Sequence, residues 1–376
     1  MAINIQIQGK GEKMKLKKTI AMLTAAVMLC GVTACSTSTA SSGTPSGTSG
    51  SANNGVPISP GVLRGPDGVS SDGTVSHAPE DTNRTYNIGI AKLMDHPALN
   101  LSQDGFVAAL TDAGFVIGEN LNIDYRDGGN DEAELNTIAN DFVSNSYDLI
   151  FAIATPAAQA CANATSDIPI IATAITDFVD AGLVESNSRP NTNVSGTTDM
   201  SPIEEQLDLM LEIFPDVRTV GFFYTATESN SALQVGIARE YARSLGLETV
   251  EMTVNNAGEI RNTLLQLVQQ CDALYVPTDN MLAAQMPAIA SVCNPAQIPV
   301  FCAEGGMVES GGFGTLSIDY YDLGYQAGLM AIRAIDGASI ERMSIQKSTV
   351  FEYSFNATAI QAVGVTLPSR YQSYII

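Results

Sequence analysis

From Tyr86 onward, short apolar runs alternate with stretches in which apolar positions recur every three or four residues. NIGIAKL (87–93), DLIFAIA (148–154) and IPIIATA (168–174) read as buried strands, and the intervening segments read as amphipathic helices. Alternation of this kind predicts βαβ units and a parallel sheet. The series then repeats. NIGIAKL matches TVGFFYT (219–225), LNIDYRDGGNDEAEL (121–135) matches LETVEMTVNNAGEI (247–260), DLIFAIATPAAQ (148–159) matches DALYVPTDNMLAAQ (272–285), and IPIIATA matches IPVFCAE (298–304). The offsets are 132 (Ile88 to Val220), 126 (Leu121 to Leu247), 124 (Asp148 to Asp272) and 130 (Ile168 to Ile298), with all four pairs in the same order. This predicts an α/β protein of two similar Rossmann-like lobes with parallel sheets. We assign 84–198 plus about 320–348 to the first lobe and 199–319 plus about 349–376 to the second. The chain is expected to cross between them near Thr198 to Ser201, near Asp319 and again within STVFEYSF (348–355).

The first 83 residues follow no such pattern. From Met14 the chain reads MKLKKTIAMLTAAVMLCGVTAC, a basic segment, an apolar run from Thr19 to Val32 and a small-residue cleavage site, which is the layout of an export signal over residues 1–34. The run is too short for a comfortable membrane span. Residues 1–13 then precede the true start, Met14. The end of the segment, Val32-Thr33-Ala34-Cys35, resembles a bacterial lipobox, which implies lipidation of Cys35 and a protein held on the outer side of the cell membrane. Residues 36–83 are mostly Ser, Thr, Gly, Pro, Ala and Asn and bury too little to offset their ordering entropy, so 35–83 is expected to be a lipidated cysteine and flexible tether.

Charge narrows the partners. The chain has 18 Lys plus Arg against 40 Asp plus Glu, a net −22. Residues 1–34 hold five of those lysines and a single acid, so the rest of the chain is more acidic still. That excess argues against nucleic acid or an anionic surface as a partner. Beyond Cys30 and Cys35, the cysteines are Cys161, Cys271, Cys293 and Cys302, without a CxxC pair. Free buried thiols are expected, with a Cys293–Cys302 bridge as the alternative. The body's single histidine, His96, and the absence of ligand spacing speak against a metal site, and no cofactor is expected. The folded part lacks GxSxG, GxxxxGK, a strand-following GxGxxG and any Cys/His pairing, so nothing nominates an enzyme.

Ligands of open parallel sheets sit beyond the strand carboxyl ends. Two lobes facing each other there make a cleft. Thr155-Pro156-Ala157, after strand LIFAIA, reads as a helix start with Thr155 as cap, whose free amides suit a carboxylate. Asp177, Asp279, Glu304 and Asp319 stand at or past strand ends, placed for an ammonium. Thr198 and Asp199, and Glu228, Asn230 and Ser231, read as helix starts that also face ligand, and Asn280 offers both donor and acceptor. Tyr224 and Tyr320, with Phe178 and Tyr321, are the candidate aromatic wall, since the chain has no Trp. His96 is held extended by Pro97 and is a wall residue. Each of these residue types also serves purely as a cap or as core.

HPALN (96–100), ATPAAQA (154–160), ATAITD (172–177), AGLV (181–184), SPIEEQLDLM (201–210), ESNSALQ (228–234), ALYVPTDN (273–280) and IDYYDLGYQAG (318–328) resemble, in order, the ABC-transporter substrate-binding lipoproteins that include tryptophan- and tyrosine-binding members. The resemblance spans about 84–366. It implies the type I periplasmic-binding-protein fold with a multi-crossover hinge, and a monomer that closes on a small solute and delivers it to an ABC permease. An amino acid, aromatic by preference, is the solute implied. A signalling sensor of the same fold, or a binding protein for a different solute, are the alternatives.

Overall fold

The computed structural model describes residues 84–348 and 350–376; the signal segment, Cys35 and the tether lie outside the described residues. The first half runs β1 (Tyr86–Lys92), α1 (Pro97–Asp112), β2 (Leu121–Asp127), α2 (Glu132–Ser144), β3 (Leu149–Ile153), α3 (Thr155–Ala164), β4 (Ile170–Ile175) and β5 (Val194–Thr198). After α4 (Ile203–Ile213) come β6 (Thr219–Thr225), α5 (Ser229–Ser244), β7 (Glu248–Val254), α6 (Ile260–Leu267), β8 (Ala273–Val276), α7 (Asn280–Ala284), α8 (Met286–Cys293), β9 (Val300–Cys302), α9 (Gly305–Glu309) and β10 (Gly314–Ile318). The chain ends with α10 (Tyr320–Ile335), β11 (Gln346–Lys347), β12 (Phe351–Phe355) and α11 (Ala357–Val363).

Two six-stranded sheets form, ordered β11-β5-β4-β3-β1-β2 and β12-β10-β9-β8-β6-β7. Position for position the orders are the same, so the repeat read along the chain is a repeat of topology. All pairings are parallel except β10 with β12, which is antiparallel. The innermost strands are apolar throughout: every side chain of β3 and β8 is buried, as expected for strands covered by helices on both faces.

Three passages of chain join the lobes, after β5, after β10 and between β11 and β12. What brings α10 back to the first lobe is a glycine-lined crossing with α1. A Cβ at Gly324 would overlap the Ser102 carbonyl, one at Gly105 would overlap the Tyr321 carbonyl, and one at Gly328 would stand 2.6 Å from the Ala109 Cβ. Only hydrogen at those positions lets the two backbones approach this closely.

The four described cysteines are free and buried. Burial pushes the Cys161, Cys271 and Cys293 thiols up to about 12, so they are inert apolar side chains and not nucleophiles.

Candidate functional site

Strand carboxyl ends from both lobes converge on one cleft. The first lobe delivers His96 from the β1–α1 turn, Thr155 as the first residue of α3, and Ala174 and Thr176 from the end of β4. The second delivers Asn230 from α5, Thr278, Asp279 and Asn280 from the β8–α7 turn, and Glu304 before α9. Asp199 and Tyr320 come from the first two crossing passages, and Ala98, Leu99 and Ala283 supply the apolar wall. The cavity between them is about 30 Å³. Small-molecule pockets typically measure about 300–1,000 Å³, so an amino acid enters only if the lobes part. A larger groove of about 560 Å³ lies on the second lobe between α4, β10, β12 and the C-terminal turn, and shares no residue with this cleft.

The α3 terminus is built differently from its sequence reading. The helix begins at Thr155, and Ala154, with φ 80°, occupies the cap position without a side-chain acceptor. The Thr155 and Ala157 amides therefore find no backbone acceptor among the described residues, and no side chain caps the helix, so the Thr155 hydroxyl is not used as its cap. Thr155 brings this uncapped helix terminus to the cleft, where orphan amides are donors of the kind that suit an anion. A second strained alanine, Ala174 at φ 55°, sits where β4 carries one residue more than β5 between Ala172 and Ile175. This bulge shifts the side-chain alternation by one, turning Thr176 into the cleft.

Opposite stand three buried carboxyls. Glu304 accepts the amides of Gly306 (2.7 Å) and Met307 (2.8 Å). Its burial outweighs those bonds and raises the carboxyl to about 7. The His96 Nε2 lies 3.8 Å from a Glu304 oxygen. Burial lowers that imidazole to about 4, so near neutral pH the approach joins an uncharged ring to the carboxyl and is not an ion pair. Asp199 accepts from the Tyr320 hydroxyl (2.8 Å) and Thr176 (3.4 Å), and burial raises it. Asp279 caps α7 through the Leu282 amide (2.8 Å) and accepts the Thr225 amide (2.6 Å) and hydroxyl (2.8 Å). Burial raises Asp279 and, behind it, Glu228.

Of the sequence candidates, His96, Thr155, Asp199, Asn230, Asp279, Asn280, Glu304 and Tyr320 line the cleft. The others stand elsewhere, for identifiable reasons. Pro156 and Ala157 lie in the first turn of α3 and do not line the cleft. Asp177 turns outward past the bulge and caps the Val179 and Asp180 amides. Thr198 donates to the Thr176 carbonyl (2.7 Å). Tyr224 faces Glu251 and Arg239 on the outer side of the second sheet. Glu228 holds the Asn280 and Met281 amides and Ser231 the Thr278 carbonyl, so both brace the β8–α7 turn from behind. Asp319 caps α10 at an exposed position. Phe178 is core, and Tyr321 is surface-exposed. Lys92 is occupied by Asn100 (2.6 Å) and Asp127 (3.5 Å). Ala98, Leu99, Ala174, Thr176, Thr278 and Ala283 were not among the candidates. Thr278 and Thr176 each stand at a polar strand end beside a candidate, Asp279 and Asp177, but the bulge that aims Thr176 inward leaves no mark in the sequence.

Two matching α/β lobes, three crossings and a polar cleft between the strand ends define a two-lobed binding protein of the type I periplasmic class. The chain belongs to the family of ABC transporter substrate-binding proteins, whose model matches residues 87–374. It is 40% identical over 283 residues, 75% of this chain and 82% of the relative, to the tyrosine-binding protein of Clostridioides difficile (strain R20291). The structure of an ABC domain in complex with L-Trp from Streptococcus pneumonia is similar at 32% identity and a TM-score of 0.75, covering 78% of this chain and 100% of that one. The ligand-free, open structure of a substrate-binding protein with adhesive properties from Clostridium difficile matches at 40% identity and a TM-score of 0.65, covering 78% and 99%.

Proposed function

We propose that this chain is an extracytoplasmic, lipid-anchored receptor that closes on a single amino acid, aromatic by preference, and hands it to an ABC permease. The observation carrying this reading is that one inter-lobe cleft is lined both by Thr155, at the start of a helix whose first amides lack a backbone acceptor, and by the carboxyls of Asp199 and Glu304. A zwitterion satisfies both sides at once: its carboxylate meets the helix terminus and its ammonium the acids. Asp279 contributes mainly by holding the second wall in shape. Support for an aromatic side chain comes from the two relatives named for tyrosine and L-Trp. Support for closure comes from the better superposition on the L-Trp complex than on the open structure, despite lower identity. Anchoring rests on the signal-like segment and Cys35; among the described residues no helix is long and apolar enough to cross a membrane.

The test is calorimetric titration with L-tyrosine, L-tryptophan and L-phenylalanine, with a hexose and a nucleoside as controls. Binding of the amino acids alone is expected. Thr155→Val, which keeps the shape and removes the hydroxyl, should weaken binding about 10- to 150-fold at unchanged melting temperature, one charge-assisted hydrogen bond being worth about 1.5–3 kcal/mol. Binding of the hexose or nucleoside instead would overturn the ligand assignment.

A further inference from the structure

The amide of Gln234 spans the lobes without lining the cleft. We propose that Gln234 is a positioning residue for ligand retention, latching Thr176 of the first lobe to Thr278 of the second and so setting the rate of ligand release without touching ligand. Gln234 lies on α5 and is fully buried, as few amides are without a specific role for their polar atoms. Its Nε2 donates to the Thr176 Oγ1 (3.0 Å) and to the Thr278 Oγ1, while its Oε1 accepts the Thr278 amide (3.2 Å). The two threonine hydroxyls are themselves 3.3 Å apart.

The donors of this cluster run in one direction. Both N–H groups of the amide are spent on the threonines, which frees the Thr176 hydroxyl to donate to Asp199 (3.4 Å). Asp199 also receives the Tyr320 hydroxyl (2.8 Å). Because Asp199 and Tyr320 stand on the first two crossing passages, the latch is wired to the hinge. A chain of hydrogen bonds polarised this way strengthens each member. Parting the lobes separates Gln234 and Thr278 from Thr176, while the Gln234–Thr278 bonds, internal to the second lobe, persist. The latch thus acts on the closed state alone, and its effect belongs in the dissociation rate.

This inference rests on the proposed closure around an amino acid, and the experiment separates the two. The chain has no Trp, so the fluorescence of L-tryptophan reports its own release from the full-length protein in a stopped-flow displacement with excess L-tyrosine. Gln234→Met keeps side-chain volume and removes the contact. It should speed release about 5- to 10-fold, the net worth of one neutral hydrogen bond or slightly more, with association within 2-fold of wild type. Unchanged release in Gln234→Met would overturn the latch. A lower melting temperature with unchanged release would assign Gln234 to packing of the second lobe and overturn it equally. Should the wild type fail to bind L-tryptophan, the ligand reading fails instead. The latch is then read from small-angle scattering of the ligand-free proteins, where Gln234→Met should expand the particle and equal radii would refute it.

Discussion

Glu304→Gln tests the electrostatics of the cleft directly. Burial lifts the Glu304 carboxyl from 4.5 to about 7. Below pH 4.5 it is protonated whether the chain is folded or not and contributes nothing. Between 4.5 and 7 the unfolded chain ionises while the folded one keeps its proton, so stability falls as pH rises. Above 7 the loss is complete, and at about 1.4 kcal/mol per pH unit it amounts to about 3 kcal/mol. Glutamine removes this titration. Its carbonyl oxygen retains one of the two amides that Glu304 accepts, so a pH-independent cost of about 1 kcal/mol accompanies the change. Urea denaturation of both proteins followed by circular dichroism from pH 4 to 8 gives the comparison. The stability of the variant minus that of wild type should rise by about 3 kcal/mol across the range. Taking the difference cancels the titrating groups distant from Glu304, whereas His96, 3.8 Å away, remains coupled to it. That residue works in the opposite sense: lowered from 6.5 to about 4 by burial, it subtracts stability as pH falls through that interval. A difference that stays level with pH would mean that Glu304 titrates as an ordinary carboxyl and that the cleft is wet, which would remove the basis for strong ammonium binding there.

A bound ammonium next to Glu304 favours its ionised form, so amino-acid binding should tighten as pH rises from 5.5 to 7.5 and release protons; calorimetric heats that do not differ between phosphate and Tris would refute this. Asp279→Ala deprives the Thr225 amide and hydroxyl and the Leu282 amide of their acceptor, and should cost about 3 kcal/mol or more in urea denaturation, whereas Asp279→Asn should retain a substantial part of that. Weak binding by the alanine variant therefore reports lost structure as well as lost contact. Gly324→Ala places a methyl on the Ser102 carbonyl and should destabilise by about 3 kcal/mol by forcing α1 from α10; an unchanged urea midpoint would show that the crossing is loose.

The strands, their order and the doubling of the whole unit were legible because they depend on local periodicity. LIFAIA and ALYV can only be interior strands, and residues that follow such strands must gather at one edge of a parallel sheet. That reasoning reached His96, Thr155, Asp199, Asp279, Asn280 and Glu304 without coordinates, and the family resemblance pointed to the same segments. What it could not resolve was which neighbour in a strand-end turn faces inward. Asp177 and Thr176 are adjacent, and a single extra residue in β4 decides between them. Glu228 and Asn230 start the same helix, yet one braces the β8–α7 turn and the other lines the cleft. Asp319 and Tyr320 are consecutive, and helix geometry sends one to solvent and the other to Asp199.

The sequence by itself thus determined the fold class, the repeat and the sheet edge at which the cleft forms, because hydrophobic periodicity is a property of each segment alone. Only the tertiary structure decided the inward set, the raised carboxyl of Glu304 and the bridge through Gln234. Those depend on side-chain direction and on water excluded by a second lobe, whose facing residues lie some 60 to 200 positions away: Thr176 meets Gln234 and Thr278, and His96 meets Glu304.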